Sequence, residues 1–333
     1  MRGVRPLISF VIPVRNDAER LKRCLASISG NDYPRELVEI IVVDNLSTDD
    51  SNRVGREHGA IVLKLEGTGV AALRNRGARV ARGSILAFVD SDHEIDRRWI
   101  ATAVDVLSSP AVAATGSAYQ TDPNANWVQQ QYDGLRPRSN GREEVTWLGS
   151  GNLAVRRSAF ESVGGFNAEL TACEDVELCN RLRLAGHRIV ADPELRSVHF
   201  GDPKTLRALF LGELWRGRNN LRVTFNGPRT FRDLRSAIVP VADLLLLTAG
   251  VAALITPRPI IALMLWSLAL IPAAIRAALI LGNRLRTTLA AGTPPLIEVG
   301  RSAAQAMAVA VVFDAARALA LVTRSSHEAR RAA

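Results

Sequence analysis

The chain has 333 residues, 47% apolar and 23% charged, enough for about two domains with a substantial core, and it excludes collagen-like, disordered and disulfide-rich classes. Its net charge of +9 is uneven: residues 1–200 carry 25 basic and 26 acidic side chains, residues 201–235 carry 8 and 3, and residues 236–333 carry 9 and 4. The basic excess therefore lies beside and within the most apolar part of the chain, which suits a membrane surface better than nucleic acid.

Leu7–Val14 is an apolar run that meets Arg15, Asn16 and Asp17 after eight residues, so it reads as a buried strand and not as the core of a signal peptide. Ala18–Ser29 places Leu21, Cys24, Leu25 and Ile28 on one helical face. Val38–Val43 is the next strand and runs into Asp44. Ser47–His58 reads as a helix, Ala60–Leu65 as a strand, and Gly69–Ala81 as a helix stopped by Gly83. Ser84–Val89 is a fourth strand, ending at Asp90. Alternating strands and helices imply parallel crossovers and a sheet covered on both faces, with ligands at the carboxyl ends of the strands, where Asp17, Asp44 and Asp90 all fall. Residues 116–149 are polar and read as a long loop, either a surface insertion or a wall of the acceptor site. A strand at Leu153–Val155, a short helix, and a helix at Glu174–Leu184 closed by Gly186 complete a domain of residues 1–200. The cysteines, Cys24, Cys173 and Cys179, lack zinc-ligand spacing and read as reduced thiols.

The character then changes. Residues 201–236 form a basic amphipathic connector, in which Trp215 with Arg216, Arg218 and Arg222 suits headgroup depth, or in which an arginine grips a diphosphate. Ala237–Ile255 and Ile260–Leu281 hold one charge each, Asp243 and Arg276, and are long enough to cross about 30 Å of hydrocarbon. Ala303–Val322 is weaker and either crosses or lies in the interface, and residues 324–333 form a basic tail. Arg216, Arg218, Arg222, Arg229, Arg232 and Arg235 precede the first span, only Arg258 separates the first two, and Arg284, Arg286 and Arg301 follow the second. This pattern places the first domain on the cytoplasmic face of the inner membrane, although Arg324, Arg330 and Arg331 conflict with a third full crossing.

The chemistry concentrates at Phe88-Val89-Asp90-Ser91-Asp92, where an apolar strand drives into two carboxylates. Such like charges are costly side by side unless a cation neutralises them, and oxygen ligands suit Mg2+ or Mn2+. A divalent ion there could bridge a nucleotide diphosphate and stabilise it as a leaving group. Pro13-Val14-Arg15-Asn16-Asp17 and Asp44-Asn45-Leu46-Ser47 are matching strand-end turns, and Arg74-Asn75-Arg76 lies near a helix start, where anions bind well. Gly149-Ser150-Gly151-Asn152, Gly164-Gly165-Phe166 and Glu174-Asp175 follow in order.

This series resembles the family 2 glycosyltransferases over roughly residues 7–200. The resemblance implies an α/β, Rossmann-like GT-A fold with a mostly parallel sheet, followed here by C-terminal transmembrane helices. It implies that Pro13, Val14, Asn16, Asp17, Asp44, Arg74, Asn75 and Asp90 line the donor site. It also implies that Asp90, Asp92 and His199 are candidate metal ligands for Mg2+ or Mn2+, His199 being equally well a surface histidine. Gly149, Ser150, Gly151, Asn152 and Glu174 would bound the acceptor, and Asp175 would be the general base of an inverting transfer. The expected donor is a nucleoside-diphosphate sugar, with UDP-sugars favoured. The expected acceptor is lipid-linked, polyprenyl or glycolipid, in polysaccharide or glycoconjugate synthesis. A processive synthase is the alternative, but the Gln-x-x-Arg-Trp motif is missing. A non-catalytic nucleotide-sugar-binding membrane protein is another, set against the presence of Asp90, Asp92 and Asp175. Dinucleotide, ATPase-type phosphate-loop and hydrolase-elbow motifs are absent.

Overall fold

The computed structural model describes residues 5–67, 69–228, 231–255, 259–289 and 295–323. The basic tail at 324–333 lies outside the described residues, as do Arg229 and Arg258. The chain divides into two compact units, residues 1–122 with 138–201, and residues 123–137 with 202–333.

The first unit begins with β1 (Ile8–Val14), α1 (Ala18–Ser29), β2 (Val38–Asp44), α2 (Ser51–Glu57), β3 (Ile61–Lys64), α3 (Val70–Val80) and β4 (Ile85–Val89). Then come β5 (His93–Ile95), α4 (Trp99–Val106), β6 (Val112–Gly116) and β7 (Gln120–Thr121). After α5 (Trp127–Asp133), which belongs to the second unit, follow β8 (Glu143–Glu144), β9 (Asn152–Arg156), α6 (Arg157–Ser162), α7 (Glu174–Leu184), β10 (Arg188–Ala191) and β11 (Ser197–His199). Eight strands form one sheet in the order β3-β2-β1-β4-β9-β6-β10-β8, and β5-β11-β7 form a second. β1 lies parallel to both β2 and β4, and β2 to β3, while β9 runs antiparallel between β4 and β6. β1 and β4 are buried along their whole length, the sign of strands covered on both faces. One core cluster joins β1, α1 and α4 through Phe10, Leu21, Leu25 and Trp99. The other joins β4, α3 and α7 through Phe88, Leu73 and Leu178.

Two elements differ from the sequence reading, each for a local reason. The helix expected from Ser47 begins only at Ser51. The Asp44 carboxylate takes the Ser47 N–H at 3.1 Å, and Asp49 takes both the N–H and the hydroxyl of Ser51. Side-chain oxygens that capture backbone donors favour a turn over a helix. The expected loop at 116–149 contains α5, started by Asn126, whose side chain accepts from the Val128 and Gln129 N–H groups while the Gln129 side chain returns to the Asn126 N–H. That reciprocal cap is built from Asn and Gln and opens only a short apolar stripe, Val128, Tyr132 and Leu135, inside an otherwise polar stretch.

The second unit consists of α5 with α8 (Leu206–Arg216), α9 (Asn220–Asn226), α10 (Phe231–Leu254), α11 (Pro259–Ala269), α12 (Ile271–Leu289) and α13 (Leu296–Ala320). Among the described residues, three segments are long and apolar enough to cross a membrane: Leu234–Leu254, Pro259–Leu285 and Leu296–Ala320. The second is interrupted at Leu270, between α11 and α12, because Pro272 has no N–H to continue the helical ladder. Val128, Tyr132, Leu209, Ala273, Ala277, Ile280, Ala306, Val309 and Ala310 form the unit's core, its alanines allowing close helix approach. Glu213, fully buried, receives the Tyr132 hydroxyl at 2.6 Å and the Arg317 and Arg216 guanidinium groups at 2.7 and 3.1 Å. Arg276 pairs with Asp314 at 2.6 Å, whereas both carboxylate oxygens of Asp243 are buried without a hydrogen-bond partner.

Candidate active site

The site grows from chain reversals at the ends of the strands. Among the described residues, the non-glycine positions with positive φ are Asn16 (51°), Leu46 (51°) and Cys173 (62°). They immediately precede Asp17, follow Asp44 by two residues, and precede Glu174-Asp175. Asn tolerates left-handed backbone, but Leu46 and Cys173 do not adopt it readily, which marks their reversals as held in place by their surroundings. Asn16 shows how: its backbone N–H donates to Ser47 Oγ at 2.9 Å and its side-chain oxygen accepts the Thr48 N–H at 2.7 Å. The first two turns are thereby stitched together, above the register that sets Pro13 beside Val43 and Val14 beside Asp44. Asp44 is fully buried and accepts from Ser47 and, at 2.8 Å, from the Asn52 amide.

The third turn joins them through Asp17. Its carboxylate accepts from Arg20 Nε at 2.7 Å and from Ser91 Oγ at 3.2 Å, and Arg20 reaches Asp92 at 3.8 Å. One guanidinium then links this turn to the helix that opens with Glu174-Asp175. Arg74, on α3, is buried and donates to Asp90 Oδ1 at 2.6 Å and to Glu174 Oε1 at 2.8 Å. Burial disfavours its charge, but the two carboxylates more than offset that and hold it protonated. Charge-assisted pairs of this length from a buried guanidinium fix geometry strongly.

Asp175 stands beside this ion chain. Burial pushes its carboxyl up, the neighbouring Glu174 charge pushes further, and hydrogen bonds from the Val176 and Ser150 N–H groups with the Arg74 charge pull back, leaving it at about 7. Asp175 Oδ2 lies 3.8 Å from where a Cβ on Gly149 would be. A carboxyl balanced near neutrality, with open space beside it, has the properties of a general base.

Asp92 sits in a different environment. Its Oδ2 lies 3.3 Å from His199 Nε2, and Asp92, His93 and His199 each bring a ligand atom within 4.8 Å of the others. Despite burial, the His199 hydrogen bond and the charges of His199, His93 and Arg20 hold the Asp92 carboxyl well below the usual range. Space for an ion is kept by two glycines. A Cβ on Gly201 would collide with Asp92 Oδ2 and stand 2.8 Å from His199 Nε2, and one on Gly151 would stand 2.8 Å from Asp90 Oδ2 and 3.0 Å from His93 Nε2. A carboxylate and imidazoles converging on a pocket that a methyl group would fill is a donor set suited to a divalent cation.

Several expected residues are engaged elsewhere. Asn75 spends both ends of its amide on the Phe166 backbone, donating to its carbonyl at 2.7 Å and accepting its N–H at 2.9 Å, so it braces the Gly164-Gly165-Phe166 turn instead of facing a donor. Asn152 accepts from Trp99 Nε1 at 2.7 Å and donates to the Leu195 and Ser117 carbonyls. It is fully buried and spends its amide on partners inside the fold. Asp90, expected among the metal ligands, has Oδ1 committed to Arg74. His93 was not among the expected residues. Its place directly after Asp92 was the available signal, but the signal has meaning only once β5 pairs with β11 and sets His93 opposite His199.

Residues 9–164 match the family model described as glycosyl transferase family 2. The chain is similar to the glycosyltransferase AglE of Haloferax volcanii, 29% identical over 213 residues, covering 61% of this chain and 70% of that one. It is also similar to the pre-mycofactocin glycosyltransferase of Mycobacterium tuberculosis, 30% identical over 205 residues, covering 58% of this chain but only 42% of that one. Among solved structures, a mannosyltransferase from Pyrobaculum calidifontis in complex with GDP-Man and Mn2+ superposes with a TM-score of 0.56 at 22% identity, over 93% of this chain and 88% of that one. With the sheet order, the clustered strand-end turns and the ordered motifs, these likenesses converge: residues 9–164 form a glycosyl transferase family 2 domain, on the GT-A fold.

Proposed function

We propose that this protein transfers a sugar from a nucleoside-diphosphate sugar to a membrane-associated, lipid-linked acceptor, with inversion at the anomeric carbon and with help from a divalent cation. The observation that carries the reading is the Arg74 bridge. It ties the Asp90–Asp92 turn, where a diphosphate and its cation would sit, to the helix start that presents Asp175.

In this mechanism Asp17, Asp44 and the turn built on Asn16 bound the nucleoside end of the donor. A divalent cation held by Asp92 and His199 would neutralise the diphosphate and make it a better leaving group. Asp175 takes the proton of the acceptor hydroxyl as its oxygen bonds to the anomeric carbon. The bond from that carbon to the diphosphate oxygen breaks on the opposite face, and the nucleoside diphosphate leaves. Glu174, fixed by Arg74 and close to Ser150 Oγ at 3.4 Å, holds the helix start and keeps the Asp175 carboxyl high enough to accept a proton near neutral pH. Gly149, where a Cβ would meet only Asp175 Oδ2 within 4 Å, leaves room for the acceptor beside the base.

Three apolar helices support a membrane location, and the arginines before the first span support a cytoplasmic face for the family 2 domain at the inner membrane. A lipid-linked acceptor fits that location because it diffuses in the plane of the membrane. GDP-Man, the donor in the similar mannosyltransferase structure, makes guanine nucleotides the first to try beside the UDP-sugars that the resemblance favours.

The test is nucleotide release by membranes containing the full chain, offered UDP-, GDP- and dTDP-sugars with a polyprenyl-linked acceptor, in Mn2+ or in EDTA, with Asp175→Asn in parallel. Release with one donor, lost in EDTA and in the variant, supports the reading. Full release in EDTA removes the metal from it, and full release by Asp175→Asn removes the base.

A further inference from the structure

The metal-assisted reading names Asp92 and His199 and leaves the ion open between Mg2+ and Mn2+. The geometry points to His93 as a third direct ligand, so that the site offers one carboxylate and two imidazoles and selects transition-metal cations over Mg2+. This inference rests on the reading of the cluster as the donor-side metal site.

Three observations support it. First, the antiparallel register of β5 and β11 sets His93 directly opposite His199, and such pairs project side chains from the same face. Their ring centroids are 4.8 Å apart, and the Tyr119 ring packs against both, at 4.9 and 4.7 Å. Second, His93 is 1% exposed and its Nδ1 lies 3.1 Å from Ser197 Oγ, itself 1% exposed. A partner at one ring nitrogen fixes the ring and directs the other, as around metal-bound histidines generally, and here the other nitrogen faces the space kept by Gly151. Third, Asp92 is the carboxylate whose oxygen lies with both imidazoles inside 4.8 Å, while one oxygen of Asp90, Oδ1, is spent on buried Arg74 at 2.6 Å.

Donor chemistry then sets the preference. Mg2+ dehydrates reluctantly and is bound through carboxylates, phosphates and retained waters. Imidazole nitrogens instead favour first-row transition ions, with affinity rising from Mn2+ through Co2+ to Ni2+. Two imidazoles in the set therefore weigh against Mg2+.

The experiment is a Mn2+ titration of the purified full chain in detergent, read by electron paramagnetic resonance, with and without GDP or UDP. Nitrogen couplings are read by pulsed measurements, and bound Mn2+ is displaced with Mg2+ or Co2+. Coupling to two imidazole nitrogens is expected, with Co2+ displacing at lower concentration than Mn2+ itself and Mg2+ requiring at least about tenfold more. His93→Gln should remove one nitrogen coupling and weaken Mn2+ binding at least about tenfold, with its thermal melt showing that it folds. One nitrogen in the wild-type spectrum, or Mg2+ displacing as readily as Mn2+, overturns the inference while leaving a metal-assisted transferase in place. No bound Mn2+ at all, with or without nucleotide, overturns the metal reading beneath it. The wild-type spectrum decides the ligand count even if the variant fails to fold.

Discussion

Glu174→Gln isolates the charge that neighbours the proposed base. Asp175 stands at about 7 against an ordinary 3.8, so below neutrality each pH step of one lowers its ionised fraction about tenfold. A base must be ionised to take a proton, so the rate should rise with pH and level off above about 7. Burial is the larger cause of the elevation and the Glu174 charge the second. Glutamine keeps the side-chain oxygen that accepts from Arg74 and removes only the charge, which also frees more of the Arg74 field to act on Asp175. Both effects stabilise the ionised form. The acid limb should therefore move from near pH 7 toward about pH 6, a change of about 1.4 kcal/mol in the ionisation of Asp175. The assay is the pH dependence of kcat/KM for nucleotide release between pH 5 and 9. It is the position of the limb and not the plateau that reports the charge. A limb that stays in place, or moves up, would refute the assignment of this ionisation to Asp175 beside Glu174. Linkage gives a second readout. Because the folded carboxyl binds its proton more tightly than the unfolded one, its contribution to stability is present at low pH and is lost as pH rises through about 4 to 7. Asp175→Asn should therefore melt higher than the wild type at pH 8 and show little advantage at pH 4.

Arg74→Met strands Glu174 in a buried setting but lets Asp90, whose side chain is 35% exposed, rehydrate. A loss of about 3 kcal/mol in denaturant unfolding is expected, and a loss below 1 kcal/mol would mean that the bridge is not a fixed element. Asn152→Ala removes the acceptor for Trp99 and a donor to two carbonyls, and should cost about 2–3 kcal/mol by the same measurement while lowering transfer through the adjacent Gly149–Gly151 turn. Asp243→Asn removes a buried carboxylate that has no hydrogen-bond partner, and should raise the melting temperature of the chain in detergent. A lower melting temperature would show that Asp243 has a partner the helices alone do not supply.

How much of this was legible in the sequence depended on whether a signal was local. β1, β2 and β4 announce themselves as apolar runs ending in Asp17, Asp44 and Asp90, because strands buried on both faces have no polar alternation to break the run. The carboxylates at their ends were therefore easy to find. The first two apolar spans were equally plain, whereas the third, Ala-rich and interrupted by Asp314 and Arg317, was weaker. What failed to show was anything decided by distant pairing. Asn75 and Asn152 look like site residues by position, yet Phe166 and the Trp99–Leu195 pair claim their amides from far along the chain. His93 looks like nothing until a three-residue strand meets its partner at Ser197–His199. α5 carries its start signal in Asn126 and Gln129, but it packs in the second unit, and its burying partners on α8, α12 and α13 lie about 80 to 180 residues downstream.

The arrangement of charge in the site follows one physical rule. Other carboxylates of the site are given cations or several donors: Asp17 has Arg20 and Ser91, Asp44 has Ser47 and Asn52, and Asp92 has His199 and Arg20. Asp175 alone is placed where burial and a like charge both oppose ionisation. Arg74 makes this possible. By neutralising Glu174 it keeps the like charge from being ruinous, and by anchoring Asp90 with its other nitrogen it fixes the distance between the two halves of the chemistry. A lysine at position 74 would carry the same charge on a single nitrogen and could not span both carboxylates in the same geometry. Arg74→Lys should therefore retain more stability than Arg74→Met and still lose transfer, with the loss falling on kcat more than on donor KM. Equal activity in the lysine variant would show that charge alone, and not the two-pronged geometry, is what the site requires.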